Sequence, residues 1–559
     1  MSIIVGDHLG DLSGRQRGGN QILDNLATVT GDDVFGDVSG SLLDQSRGGN
    51  DRIADGRSES RLFGDGYAMQ GSSIGGNDTI VSKSFDVKVF GDAWSLAGSA
   101  RGGDDNLTAE AGTQDLYGDS MLLSGSAQGG RDILTFSDLY INAAVGDAAV
   151  MTGNAKGGKD VLFLKSYIDD VSSASNTLYG DAVTMAGKAA GGDDTFSYSG
   201  FGNAHFYGDA FEMAGTTQGG KDTITISTLG DGIGFGDADT LSDHARGGND
   251  VLDIGFGDAT GYGDAGVMLD YARGGNDKVM VQSSNGGIAE GYGDAREMSG
   301  YTLGGNDTVI LEESDYGSFS LYGDAGTMNG HAAAGHDTVV AHSHGRESIS
   351  AYGDAGTMSG DTKGGNDTMQ IDSFRSSNTF GDAGVMSDNA RGGKDKIVVE
   401  AGSSTLVSGD GDTMSGQARG GDDTITIVSA GFDEYSTGTF VYGDAVSMTG
   451  KALGGNDRLI GGGGDEDFWG DAGTKAATAI GGKDTFVFRA DSGHDRIHDF
   501  QQGKDHIEIG GYTAHGFGAL SITSAQVDGK AASVVQLDAN NDVTVFGALT
   551  LKASDFWFV

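Results

Sequence analysis

The feature that most constrains this chain is a segment that returns at fixed internal length but variable spacing. Residues 353–371 read GDAGTMSGDTKGGNDTMQI, 323–341 read GDAGTMNGHAAAGHDTVVA, and 381–399 read GDAGVMSDNARGGKDKIVV. The shared unit is Gly-Asp-Ala-x-x-Met-x-Gly-x-Ala-x-Gly-Gly-x-Asp-x-apolar. Its leading aspartate recurs at Asp65, Asp92, Asp119, Asp147, Asp181, Asp209, Asp237, Asp264, Asp294, Asp324, Asp354, Asp382, Asp410, Asp444 and Asp471. In each of these a trailing aspartate follows 13 residues later: Asp78, Asp105, Asp132, Asp160, Asp194, Asp222, Asp250, Asp277, Asp307, Asp337, Asp367, Asp395, Asp423, Asp457 and Asp484. Degenerate units begin at Asp7 and Asp37, and the first carries Gln21 in place of the trailing aspartate. Successive units lie 27, 28, 30 or 34 residues apart, and all the variation falls after the trailing aspartate. Self-similarity at this period is the signature of a solenoid, which grows coil by coil without needing a new core.

The period within the unit predicts parallel β-strands. DTIVS (78–82), DTITIS (222–227), DTVILE (307–312) and DKIVVE (395–400) alternate apolar and polar residues. Met358, Gly360 and Thr362 are expected on one side, with Met stacking on Met, Gly or Asp on Gly, and Ala or Thr on Ala. Gly-Asp and Gly-Gly are expected to supply turns at positive φ. The fold class read from this is all-β, a parallel β-solenoid (β-roll or β-helix) of about 16–17 coils spanning residues 1–484, with a C-terminal β cap at 485–559. Two loop motifs and a variable third segment per unit favour a three-sided coil.

Composition narrows the function. Of 559 residues, 102 are Gly and none is Pro or Cys, so disulfides are excluded. Acids number 81 against 35 bases, a formal charge of −46, which argues against nucleic acid and anionic membranes as partners and for cations. MSIIVGDHLGDLSG lacks the basic and apolar regions of a cleaved signal peptide, and no apolar run reaches membrane-spanning length. No H-E-x-x-H, nucleophile elbow or phosphate loop is present, and the repeats begin within ten residues of the start; a non-enzymatic protein is expected.

LGGNDRLI (453–460) followed by GGGGDEDFW (461–469) resembles the repeats-in-toxin nonapeptide G-G-x-G-x-D-x-U-x, with Glu466 standing where the nonapeptide has Asp. The resemblance implies Ca²⁺ bound at many positions. The trailing aspartates would serve as side-chain ligands, and glycine-turn carbonyls would complete the shell. The chemistry agrees: Ca²⁺ takes 6–8 oxygens. The leading aspartates, from Asp65 to Asp471, are either a second calcium column or caps of nearby backbone N–H groups. The residue before the trailing aspartate (Asn77, Asp104, Arg131, Lys159, Lys221, His336, Lys394) includes cations and is expected to face solvent. Stacked carboxylates one strand spacing apart repel by about 1 kcal/mol per close pair in water. Calcium is therefore expected to drive folding.

TFVFRADSGHDRIHDFQQGKDHIEI (485–509) resembles the C-terminal region of serralysin-type secreted proteins. The terminal Asp555-Phe556-Trp557-Phe558-Val559 is similar to the family's uncleaved type I secretion signal; a buried last strand is the alternative. The resemblance implies an extracellular or cell-surface protein exported by type I machinery and folding on Ca²⁺ outside. Its role would be structural, adhesive or surface-matrix, with possible self-association or attachment to cell-surface polysaccharide. The alternative is a rod recognising polysaccharide or ice through a flat face. An aromatic before most Gly-Asp pairs, such as Phe63, Tyr207 and Tyr322, suggests a ladder of rings or an aromatic sugar-binding face. His494 and His498 would suit zinc only on a helix, and His342 with His344 is a weak pair. The long segments 161–179 and 424–441 are where a catalytic groove would lie.

Overall fold

The computed structural model describes residues 3–24, 31–55, 59–83, 86–110, 114–137, 141–165, 175–284, 286–312, 316–343, 348–373, 375–429, 438–547 and 550–559. Among them there is no α-helix. The chain is a parallel β-solenoid of about 16 turns, and the described residues after the repeats also include the short 3₁₀ turns Phe517–Ala519 and Ala553–Asp555. Contacts divide it into two compact units, Met1–Val281 and Gln282–Val559.

Each coil contributes three strands to three parallel ladders. One coil of the first unit runs Gly66–Met69, Thr79–Ser82 and Val87–Phe90. The first strand follows the leading aspartate, the second follows the trailing aspartate, and the third ends at the aromatic before the next Gly-Asp. In the second unit the Met column reads Met328↔Met358↔Met386↔Met414↔Met448 in unbroken register. Hydrogen bonds between coils continue through the turns: Gly64 N donates to Phe90 O (3.1 Å) and Asp65 N to Asp92 O (2.9 Å). A structure this rich in turns thus leaves few main-chain groups without a partner.

The interior is filled by alternate residues of all three strands. Ile80, Leu107, Leu134 and Leu162 stack from the second strands, and Met69, Leu96, Leu123 and Met151 from the first; all are buried. Each such side chain contributes about 1.5–3 kcal/mol. Volume is complemented across the coil. Gly234 and Gly261 on third strands leave room for Ile254 and Val279; a Cβ on Gly261 would stand 2.7 Å from the Val279 side chain.

The glycines do a different job from the one their sequence positions suggest. Those of Gly-Asp and Gly-Gly do not adopt positive φ. The left-handed position is the one after Met-x, where Gly360 (φ +81°) stacks on Gly330, and Asp243 and Asp388 take φ 59° and 57°. Met358 and Thr362 therefore point inward as expected, but Gly360 lies in a turn outside the strand. The alternation of Gly with Asp in this column follows from the left-handed backbone, which those residues tolerate best.

The aromatic column is a ladder of stacked rings: Phe35, Phe63, Phe90 and Tyr117 at 4.9–5.1 Å, and Tyr292, Tyr322, Tyr352 and Phe380 at 4.6–5.4 Å between centroids. Phe63 and Phe90 are fully buried by their neighbours, and Tyr322 and Tyr352 are half-buried; ring-on-ring stacking covers the faces along the ladder.

In the second unit the pattern changes after Asp484. His506–Ile509 extends the second-strand ladder from Thr485–Phe488, and Phe556–Phe558 adds to it in parallel. His494–Ile497 pairs with Glu466–Trp469 and with Asp542–Phe546, which begins an antiparallel meander through Lys530–Gln536 and Ser521–Val527. The end of the chain is thus a strand with Phe556 buried and Trp557 and Val559 exposed.

Candidate metal centres

The two aspartate columns lie inside the coils. None of the leading or trailing aspartates named above exposes more than 3 % of its surface. The residue before each trailing aspartate faces solvent, whether Asn77, Asp104, Arg131, Lys159, Lys221, His336 or Lys394. One turn thus alternates a solvated side chain with a buried carboxylate.

The coil around Asp119 displays the geometry. Asp119 accepts the Gly130 N–H with both oxygens, at 3.0 and 3.2 Å. Asp132 accepts the N–H of Asp105, one coil back, at 2.7 Å through Oδ1, while its Oδ2 has no partner. Asp119, Asp132 and the next leading aspartate, Asp147, bring ligand atoms within 4.8 Å of one another, and Asp324, Asp337 and Asp354 do the same in the second unit. The pattern recurs: Oδ1 of Asp78, Asp160, Asp222 and Asp367 each holds the preceding coil's backbone N–H at 2.6–2.7 Å. Oδ2 of Asp209, Asp237, Asp324, Asp354, Asp382, Asp410 and Asp444 is buried without a partner, as is Oδ2 of most trailing aspartates. The leading aspartates therefore do cap backbone N–H groups, but across the loop to a glycine 11 residues on; Asp65, Asp92, Asp119, Asp147 and Asp181 do so with both oxygens, whereas Asp354 and Asp382 use Oδ1 and leave Oδ2 without a partner.

Glycine is required here because nothing larger fits. A Cβ on Gly130 would lie 1.5 Å from the Gly103 carbonyl oxygen, and one on Gly129 would lie 1.6 Å from Asp147 Oδ1. Among the described residues, the buried carbonyl oxygens of Gly103, Gly118, Gly130 and Gly146 accept no main-chain hydrogen bond. Unpaired carboxylate and carbonyl oxygens thus converge on the same turns.

Burial raises many of these carboxyls above their ordinary range, and at several of them repulsion from neighbouring acids adds to it. Asp105 is lifted first by desolvation and then by Asp92, Asp78 and Asp132, and Asp132 by desolvation and Asp160. Asp92 is raised to about 6 and Asp194 and Asp250 to about 8. Among the described residues, no cation counters Asp105, Asp132 or Asp382, and Lys159, Lys221 and Lys394 only partly offset the rise at Asp194, Asp250 and Asp423 from the exposed side of the turn. A buried carboxylate without a counter-charge is costly. A hard divalent cation matches this donor set of carboxylate and carbonyl oxygens. The residues that would hold it are a trailing aspartate with the leading aspartates of its own coil and the next.

The ends of the columns differ. Asp7 receives the Gly19 N–H and the side-chain amide of Gln21. Asp471 accepts the Gly482 N–H at 2.7 Å, and its other oxygen receives Lys475 Nζ and Gln501 Nε2. Lys475 occupies the Met column, in register with Met448. Sequence reading missed this plug; the break in the Met column was the signal. Glu466 and Asp495, stacked on the inner side of the third-strand ladder, are both buried, and burial raises both carboxyls.

His494 and His498 lie on a strand and its end. His494 bonds Asp542 at 2.7 Å, and His498 bonds Asp467 at 2.6 Å while stacking on Trp469 and Phe546. They do not converge. His344, and residues 166–174 and 430–437 of the two long segments, lie outside the described residues. No known protein family, curated protein or solved structure matches the chain.

Proposed function

We propose that this is a secreted, non-enzymatic calcium-binding repeat protein of the repeats-in-toxin type, folding on Ca²⁺ outside the cell and serving a structural, adhesive or surface-matrix role. The observation that carries the calcium reading is the pair of buried aspartate columns, and above all the trailing one, in which one carboxylate oxygen holds a backbone N–H and the other is left over. Ions at about 16 inter-coil positions would bring the formal charge from −46 to −14 (−46 + 2 × 16). Without them, stacked buried acids oppose closure of the coils. The export route rests on the C-terminal resemblance and on the absence of Pro and Cys, which suits a chain threaded unfolded through a channel. A ligand-binding role for the surface is the second reading, favoured by the cation ladder described next.

The test is a calcium titration followed by far-UV circular dichroism and light scattering. The expected result is a largely unfolded chain in chelator that gains β-structure cooperatively with Ca²⁺. A full β-spectrum in excess chelator at neutral pH would overturn the reading.

A further inference from the structure

In a chain with 81 acids and 35 bases, the residue immediately before the Gly-Gly pair is never acidic. In the first unit it is Arg17, Arg47, Arg101, Lys156, Arg246 or Arg273 in six of its coils, and in the second it is Lys363, Arg391 and Arg419 in three consecutive ones. Parallel bridges link these positions directly from coil to coil, Lys363 to Arg391 to Arg419 among them. All nine side chains are exposed, and none makes an ion pair with a described carboxylate. Cations three residues further on behave otherwise: Arg131, Lys159 and Lys394 are paired with Asp104, Asp193 and Asp422. In the second unit Lys363, Arg391 and Arg419 thus form an unbroken run of exposed cations without an ion pair.

We propose that this ladder is a binding track for an acidic polysaccharide laid along the coils. Its step is one strand spacing, about 4.8 Å, close to the length of one sugar residue, so an extended chain with one anionic group per sugar meets successive coils in phase. Guanidinium groups suit carboxylate and sulfate through their planar forks. In the same column two residues earlier, exposed rings lie against one another in pairs, His244 tilted 32° to Tyr271 at 5.0 Å and Tyr301 stacked on His331 at 4.5 Å beside the uncharged positions Leu303 and Ala333, and offer faces for sugar rings. At the start of the first unit, a cleft of about 380 Å³ is lined by Arg15, Arg17, Gln45, Arg47, Ser72 and Ile74. A bilayer or duplex would also meet the acidic surface on either side and be repelled; a thin single chain follows the line alone.

The track deepens, and rests on, the adhesive part of the function proposed above. The test uses the full chain in Ca²⁺ and measures binding to dextran sulfate, to uncharged dextran, and to single-stranded DNA of equal charge. Native protein is expected to bind dextran sulfate, more weakly as salt rises, and to ignore dextran. Replacing Lys363, Arg391 and Arg419 together by Gln is expected to lower affinity at least tenfold. Replacing Lys83, Lys278 and Lys396 by Gln, an equal loss of charge off the ladder, is expected to change it less than twofold. The proposal is overturned by native protein that ignores dextran sulfate, by equal losses in the two triple variants, or by DNA binding as tight as dextran sulfate binding. A chain that folds on Ca²⁺ yet fails these assays leaves the calcium reading standing; one that binds the polymer but folds without Ca²⁺ does the reverse.

Discussion

The interior coils and the column ends handle the same problem, a buried aspartate, in opposite ways. At Asp471 both oxygens are occupied, by a backbone N–H, the Lys475 ammonium and the Gln501 amide. Asp499 beneath it accepts the N–H groups of Gly470, Asp471 and Ala472. At Asp7 the Gln21 amide stands where other coils carry a second acid. Between these ends Asp132, Asp222 and Asp367 each retain an unpartnered buried oxygen. At Asp471 the chain supplies an ammonium and an amide of its own, whereas the interior trailing aspartates are given no such group. That contrast is the physical ground for expecting an external cation between interior coils.

The largest expected effect is that of pH on the metal-free chain. The interior carboxyls are raised on folding, so the folded state favours their protonated form. The stability they contribute is full below the ordinary carboxylate pKa of about 4. It is lost as pH climbs through about 6, where Asp92 ionises, to about 8, where Asp194 and Asp250 do. In chelator, circular dichroism should therefore show more β-structure at pH 4 than at pH 8; with Ca²⁺ the order should reverse, because protons displace the ion. An unchanged order would erase the contrast between interior and ends.

Next in size is Gly130→Ala, which drives a Cβ into the Gly103 carbonyl and should cost about 3 kcal/mol or more in urea melts with Ca²⁺. Gly518→Ala in the cap meets nothing within 4 Å and should stay within about 0.5 kcal/mol. Asp132→Asn should raise the calcium midpoint and remove an ion by native mass spectrometry, yet slightly stabilise the chelated form by relieving about 1 kcal/mol of repulsion. The smallest effect is expected from Lys475→Met with Gln501→Ala, which restores the Met column and frees one oxygen of Asp471. It should add one calcium ion to the count with little change in the chelated melt. An unaltered count would mean that the ammonium does not stand in for a cation.

Much of this architecture was legible in the sequence because the chain repeats it. The 13-residue interval between Asp119 and Asp132 marks a rigid loop, and TITIS beside DKIVV marks strands of period two. What could not be read was which physical demand each glycine meets. Gly129-Gly130 resembles a left-handed turn in one dimension, and only the stacked neighbour shows it to be a matter of clearance. The roles of Lys475 and of the arginine ladder were hidden for the same reason. Both depend on what lies one coil away, a relation that single residues do not carry.

The length variation between coils has a further use. From Asp65 onward, spacings of 27 to 34 residues are absorbed wholly between the trailing aspartate and the next Gly-Asp, while the loop carrying both acids keeps one length. That connection is a natural place for grafting: a foreign peptide spliced there is expected to leave the aspartate register intact, so that one insert can be displayed per coil.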